Sequence, residues 1–386
     1  MKLDESCPKR ASPVRRRDRR NVADDRIHLQ SLQAGRAIAA LMVVIFHIQV
    51  FYLPERLYPG EDNFLHPVTN MGYAGVEFFF ALSGFLMAYI HQKDMGRKER
   101  LGTYIAKRIS RIYPAYWLVL VPLILLGLVV PSLKPEEPTG MLELIGNFLL
   151  LPLPDAPILE VSWTLQFEMV FYGLFALTIL SRTVGPIILG AWFLACAVMA
   201  FFPPLAFPMS FILSPYNLIF LFGGAAALAF RHLRGQAAWP VLAAGLALFF
   251  GTGINEVYGH FEISFALRTV LYGIGASLII TALASLEWQS RIRVPKFLKL
   301  LGDASYMLYL VHIPALAAGV IVLRALNIQH LMPPWILAVL MAIGCSILSI
   351  LLHLYLEKPV VRWVSAHLVP AKRPAVPADQ LSGSTS

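Results

Sequence analysis

Charge is what this chain has least of. Asp, Glu, Lys and Arg make up 14% of its 386 residues, while 57% are hydrophobic. A soluble domain carries about 25% charged residues, so a water-soluble globular enzyme is excluded. Cysteine is scarce as well. Cys7, Cys196 and Cys345 show no CxxC and no Cys/His ligand spacing, which argues against a disulfide framework and against a bound metal. The first 30 residues have no short apolar core of the kind a cleavable signal peptide needs, so the first apolar segment is expected to insert the chain itself. No repeat of fixed period relates the two halves, although many secondary transporters are built on one.

What is present is apolar sequence in runs of about 20 residues, enough to cross ~30 Å of hydrocarbon as a helix. Mean hydropathy is +0.64. The fold class read from this is all-α, a polytopic transmembrane helix bundle. Ten spans are predicted, near 32–53, 71–91, 113–131, 160–180, 184–202, 213–230, 238–254, 264–285, 305–325 and 334–356. The charges between them alternate. Tail 1–28 is basic, loop 54–70 carries Glu55, Glu61 and Asp62, and loop 92–112 carries Lys93, Arg97, Lys98, Arg100, Lys107, Arg108 and Arg111. Loop 132–159 is acidic, and the basic and non-basic connections keep alternating to Lys358, Arg362, Lys372 and Arg373. Basic loops stay inside, so both termini are expected in the cytoplasm. The net charge of +9 then reflects topology and anionic lipid rather than a nucleic-acid partner.

The predicted organisation is a disordered basic tail over 1–28, a membrane domain over 29–360 and a cytoplasmic tail over 361–386. Residues 97–112 place Leu101, Ile105, Ile109 and Ile112 on one side and Lys and Arg on the other, the pattern of an amphipathic helix at the inner interface. Residues 141–153 are apolar but too short to span. The small residues of GGAAALA (223–229) and GIGAS (273–277) read as close-packing faces.

The functional signal is the polar residues inside the spans, where charge is costly and usually has work to do. Arg36 and His47 lie eleven residues apart in span one. At ~100° per residue they share a face, and at ~1.5 Å rise they sit ~16 Å apart along the axis. With the inside-to-outside direction of span one, Arg36 is near the cytoplasmic surface and His47 in the outer half. Glu77 and Ser83 lie within span two. Arg108 and Arg111 share a face at the start of span three, suited either to phosphates or to ordinary inner-surface charge. Thr164, Glu168 and Tyr172 recur every four residues in span four, a polar stripe facing the bundle. Ser305, Tyr309 and His312 share a face in span nine, with His312 placed in the cytoplasmic half and Pro314 expected to free a backbone carbonyl. Glu357 is read as interfacial, as a cap or surface ion pair.

Taken together, Arg36-x10-His47, GVEFFFALSGFL in span two, RISRIYPAYW entering span three, SWTLQFEMVFY in span four and SYMLYLVHIP in span nine resemble the acyltransferase-3 family of bacterial integral-membrane O-acyltransferases. The likeness is greatest to the branch that acetylates exopolysaccharides. It covers residues from about 29 to 360. The resemblance implies an inner-membrane enzyme that moves an acyl group, acetyl above all, from acyl-CoA to a hydroxyl of a polysaccharide or lipid-linked oligosaccharide. It implies that Arg36 and His47 serve acyl transfer, that Arg108 and Arg111 are the family's paired arginines, and that Glu168, Tyr309 and His312 fall on its later motifs. Glu77 stands where the family usually has Asp. The esterase-like domain that some members append is not expected, since no GDS-type serine motif occurs.

Acyl transfer to a sugar hydroxyl needs a base, positive charge for the oxyanion and a dry site. His47 is the candidate base, with Glu77 or Glu168 expected to orient its ring. Arg36, too far along the axis to reach that ring, is assigned with Arg108 and Arg111 to the donor, and Ser83, Tyr309 and His312 to substrate contact. Direct transfer and an acyl-histidine relay stay open. The competing classes are a proton-coupled transporter or polysaccharide exporter, for which buried Arg, His and Glu are equally suited, and a non-catalytic partner of a polysaccharide assembly complex.

Overall fold

The first helix, α1 (Gln30–His47), has no capping side chain of its own, because Leu29 precedes it. Its open amides are satisfied from far away in the sequence. Glu287 accepts from the backbone N–H of Gln30 and of Ser31, each at 2.7 Å. A carboxylate at a helix N-terminus satisfies orphan donors and complements the helix dipole. That contact fixes the height of α1 in the bundle, and with it the heights of Arg36 and His47.

The structure, a computed structural model, describes residues 29–59, 66–129, 140–259 and 261–369. The basic tail 1–28, the acidic residues Glu61, Asp62, Glu136 and Glu137, and the chain beyond 369 lie outside the described residues. After α1 the chain winds on as a π-helix over Ile48–Leu57. Then come α2 (Gly75–His91), α3 (Leu101–Val129), α4 (Met141–Leu149), α5 (Trp163–Leu180), α6 (Val184–Met199) and α7 (Tyr216–Ala229). They are followed by α8 (Ala238–Tyr258), α9 (Phe265–Trp288), α10 (Lys296–Asp303), α11 (Ser305–Leu326) and α12 (Pro334–Leu352). A second π-helical turn, His353–Glu357, leads into α13 (Lys358–Leu368). Among the described residues there are nine helical stretches long and apolar enough to cross a membrane, plus the shorter Val184–Met199. These ten coincide with the ten spans expected from the sequence. The protein is a multi-pass helical membrane bundle.

Two details differ from expectation. Residues 97–112 are not a separate interfacial helix: from Leu101 onward they are the first turns of α3, which runs unbroken through Pro114 and Pro122. The stripe of isoleucines there turns outward, with Ile105 and Ile109 exposed, while Tyr104, Arg108 and Ile112 are buried. The physical reason is that lipid accepts isoleucine, whereas a guanidinium must find polar partners inside the bundle. At the other end, α13 carries the helix across the boundary expected near 360 to Leu368 and packs against α3. Residues 361–368 are helical.

The bundle has two apolar cores. One joins α1, α11 and α12 through Ala37, Val44, Ile48, Leu308, Leu316 and Leu337. The other gathers α2, α3, α5, α7 and α9 around Phe80, Phe85, Tyr116, Phe171, Phe220 and Tyr272. The tightest approach is between α2 and α7. A Cβ on Gly223 would collide with the Ala81 carbonyl, and one on Gly84 with the Phe220 carbonyl. The small residues of span six are thus a packing face, since without side chains the backbones can close up. The cavity lies at the junction of the two cores.

Candidate active site

Five helices send polar side chains into one cavity with about 790 Å³ of empty space, its open mouth included. Arg36 comes from α1, Ser83 from α2, Arg108 and Arg111 from α3, Glu168 and Tyr172 from α5, and Ser305, Tyr306 and Tyr309 from α11. Thr164 also lines the cavity, so the four-residue stripe of α5 faces inward along its length.

Three arginines surround one carboxylate. Glu168 accepts a hydrogen bond from the Ser83 hydroxyl and lies within electrostatic reach of Arg111, Arg36 and Arg108. Arg108 is buried, and its guanidinium sits 5.5 Å from the centre of the Tyr172 ring and 5.9 Å from that of Tyr104. Arg111 is exposed. The Nε–H groups of Arg36 and Arg108 are buried without a hydrogen-bond partner among the described residues. Unsatisfied buried donors are expensive, and here they belong to cations in a polar cavity. The cavity thus holds three guanidinium groups and one carboxylate, that of Glu168.

His47 does not line this cavity. Its Nδ1 lies 2.8 Å from the Val43 carbonyl oxygen one turn back. A carbonyl only accepts, so in the neutral ring Nδ1 carries the hydrogen and Nε2 keeps the lone pair. The expected carboxylate orientation is therefore replaced by the helix backbone. Glu168 lies in the cavity instead, and Glu77 is buried elsewhere, within reach of Arg268 and Glu256. The reason is geometric: an i−4 carbonyl is always in reach of a helical side chain, and no partner helix needs to provide one.

His312 stands beside His47, the two ring centres 4.9 Å apart and the planes at 63°. The sequence reading put His312 in the cytoplasmic half and His47 in the outer half. The structure sets the two rings side by side, because α1 and α11 pack against each other. The Nδ1 of His312 bonds the Tyr309 carbonyl at 2.8 Å, and its buried Nε2 has no partner among the described residues. Each imidazole thus leaves Nε2 as its accepting nitrogen. Tyr309 separates them from the arginine cavity. Its ring centre lies 5.9 Å from that of His312 and 5.9 Å from that of Phe79, which also lines the cavity. Its hydroxyl is anchored 2.9 Å from the Thr164 hydroxyl and 3.0 Å from the Val161 carbonyl.

Of the site residues expected from sequence, the structure brings Arg36, Ser83, Arg108, Arg111, Glu168 and Tyr309 together, sets His47 and His312 next to them, and leaves Glu77 apart. Tyr306 was not anticipated. It lines the cavity and donates to the Ile112 carbonyl at 3.0 Å. Its spacing of three before Tyr309 was the available signal. Among the described residues no group of three or more His, Cys, Asp or Glu is placed to hold a metal.

The family model described as "Acyltransferase domain" matches residues 29–354. The exopolysaccharide production protein ExoZ of Rhizobium meliloti (strain 1021) is 30% identical over 324 residues, which is 82% of this chain and 97% of that protein. The acyltransferase MdmB of Streptomyces mycarofaciens is 29% identical over 331 residues, 76% of this chain and 80% of its own. No solved structure matches significantly.

Proposed function

This chain belongs to the acyltransferase-3 family and is a membrane O-acyltransferase, and from that premise we propose that it transfers an acetyl group from acetyl-CoA to a hydroxyl of an exported polysaccharide. The observation that carries the donor half is the cavity itself, where Arg36, Arg108 and Arg111 converge and two of their N–H groups lack partners. Guanidinium forks match phosphate oxygens, and CoA carries its phosphates at one end of a long flexible arm with the thioester at the other. The alternating loop charges orient this end of α1 toward the cytoplasm, where acyl-CoA is found. The acceptor half rests on the likeness to ExoZ, an exopolysaccharide production protein.

In this reading the CoA phosphates sit among the arginines and the pantetheine arm points past Tyr309 toward the histidines. The acceptor hydroxyl approaches His47 from the other side. Nε2 of His47 takes its proton as the oxygen attacks the thioester carbonyl, and the same proton passes to the departing thiolate. Burial disfavours the charged imidazole, so the ring begins neutral and able to accept. The backbone bond to Val43 keeps Nε2, not Nδ1, as the basic atom. Arg36 is ~16 Å away along the helix and belongs to the donor. The location is the bacterial inner membrane, with both termini cytoplasmic.

The test is release of CoA from acetyl-CoA by the purified protein with candidate polysaccharide acceptors, paired with mass spectrometry of surface polysaccharide from cells with and without the gene. Acceptor-dependent CoA release and loss of acetyl groups in the deletion are expected. No CoA release with any acceptor, and unchanged polysaccharide, would remove the proposal and favour a transporter or assembly partner.

A further inference from the structure

Arg108 is held from behind by two residues that line no cavity. His91 is the last residue of α2, and the chain turns there, with the Asp94 N–H donating to the His91 carbonyl at 2.8 Å. That turn brings the Asp94 carboxylate 2.9 Å from Nδ1 of His91. On the other edge of the ring, Nη2 of Arg108 lies 3.2 Å from Nε2. The turn is itself tied down, because the Gly96 N–H donates to the Thr178 carbonyl of α5 at 2.9 Å, with Gly96 at φ +75°.

The chemistry of the three groups leaves one arrangement. A carboxylate only accepts, so Nδ1 must carry hydrogen. A guanidinium only donates, so Nε2 must offer a lone pair. His91 is then the neutral Nδ1–H tautomer, and polarity runs one way from Arg108 through the ring to Asp94. The ring is buried, 3% exposed, and packs edge-on against Tyr104 at 5.0 Å. Tyr104 in turn donates to the Tyr172 carbonyl at 2.8 Å and flanks the Arg108 guanidinium.

We propose that His91 and Asp94 are positioning residues of the acyl-CoA site, which aim the Arg108 guanidinium into the cavity through a neutral imidazole. The proposal rests on the donor-site reading above. Asp94 fixes the tautomer, His91 accepts one N–H of Arg108, and the remaining N–H groups are left to face the anion. Without the chain, an arginine freed from its two tyrosines would swing toward water and lose the alignment that a phosphate contact needs.

The experiment compares His91→Leu, His91→Gln, Asp94→Ala, Arg108→Ala and the double variant His91→Leu/Arg108→Ala in the full-length protein. His91→Leu is expected to raise the acyl-CoA KM about tenfold, the worth of a hydrogen bond to a charged group, with kcat nearly unchanged. Glutamine at 91 can accept from Arg108 and donate to Asp94, so it is expected to restore the KM. In the Arg108→Ala background the His91→Leu change should add nothing, since coupled residues are not additive. A second readout needs no activity: labelling of Arg108 by phenylglyoxal, followed by peptide mass spectrometry, should be faster in His91→Leu and Asp94→Ala than in the parent and His91→Gln proteins. Additive effects in the double variant, or labelling indifferent to position 91, would overturn the proposal. If Arg108→Ala left the KM unchanged while labelling still responded to His91→Leu, the donor-site reading would fail and the positioning chain would stand.

Discussion

Two polar clusters lie inside this bundle, one closed and one open in charge, although each holds an arginine whose buried Nε–H is unmatched among the described residues. On α8 and α9, Glu256 accepts from the Tyr73 hydroxyl at 2.5 Å, from the Tyr272 hydroxyl at 3.1 Å and from Nη1 of Arg268 at 2.5 Å. One carboxylate thus takes three donors, and its charge is matched by an arginine on the next helix. At the junction of α1, α3, α5 and α11, three arginines converge on one glutamate, and the Nε–H groups of Arg36 and Arg108 go unmatched. A closed cluster has what it needs to hold helices together. An open one has excess positive charge and a cavity in front of it, the setting of the donor site proposed above. One carboxylate faces one guanidinium in the first and three in the second; charge balance is what separates the two.

If that separation is right, the largest loss belongs to the atom at the reacting centre. His47→Ala should lower kcat by about 100-fold or more, the usual contribution of a general base. The protein should insert and fold normally, since Nδ1 of His47 bonds only its own helix. Acetyl transfer at the parental rate in membranes would remove His47 from the chemistry. Next comes the open cluster. Arg36→Ala should raise the acyl-CoA KM about tenfold and change kcat less, because the residue is assigned to donor binding and lies a full three helical turns from His47. A kcat loss with an unchanged KM would move Arg36 to the transition state instead.

The closed cluster should respond in stability rather than in kinetics. Glu256→Gln leaves the shape but removes the charge that Arg268 pairs with. The expected cost is about 2 kcal/mol, read as a lower midpoint of thermal unfolding in detergent, with the KM of the surviving protein unchanged. A raised KM at full stability would mean that this cluster is also a binding site.

Some of this was legible in the sequence and some was not. The ten spans were, because a run of about 20 apolar residues is required by the membrane itself. The inward stripe Thr164, Glu168, Tyr172 was, because helical spacing fixes which residues share a face. What spacing cannot give is where two helices stand relative to each other. His312 was therefore placed away from His47, although their rings are 4.9 Å apart. Nor does spacing show that Glu287 caps α1 across 256 and 257 residues of sequence. The isoleucines of 97–112 misled differently: their periodicity was real, but in a membrane the apolar face points outward to lipid and the polar face inward.

Glu77 is the sharpest remaining test of the distinction between the clusters. By sequence it falls with the catalytic residues, a carboxylate expected beside His47. In the structure it is 1% exposed, one carboxylate oxygen has no partner among the described residues, and its charged neighbours are Arg268 and Glu256. It borders the closed cluster and does not line the arginine cavity. Glu77→Gln keeps the shape and removes a charge that lies outside the arginine cavity, so kcat and the acyl-CoA KM should stay within about twofold of the parent, a free-energy change well under 1 kcal/mol. Stability should hold or rise, because replacing an unpartnered buried carboxylate by a neutral amide relieves desolvation. A kcat loss comparable to that of His47→Ala would place Glu77 in the chemistry after all and would show that the histidines depend on the cluster behind them.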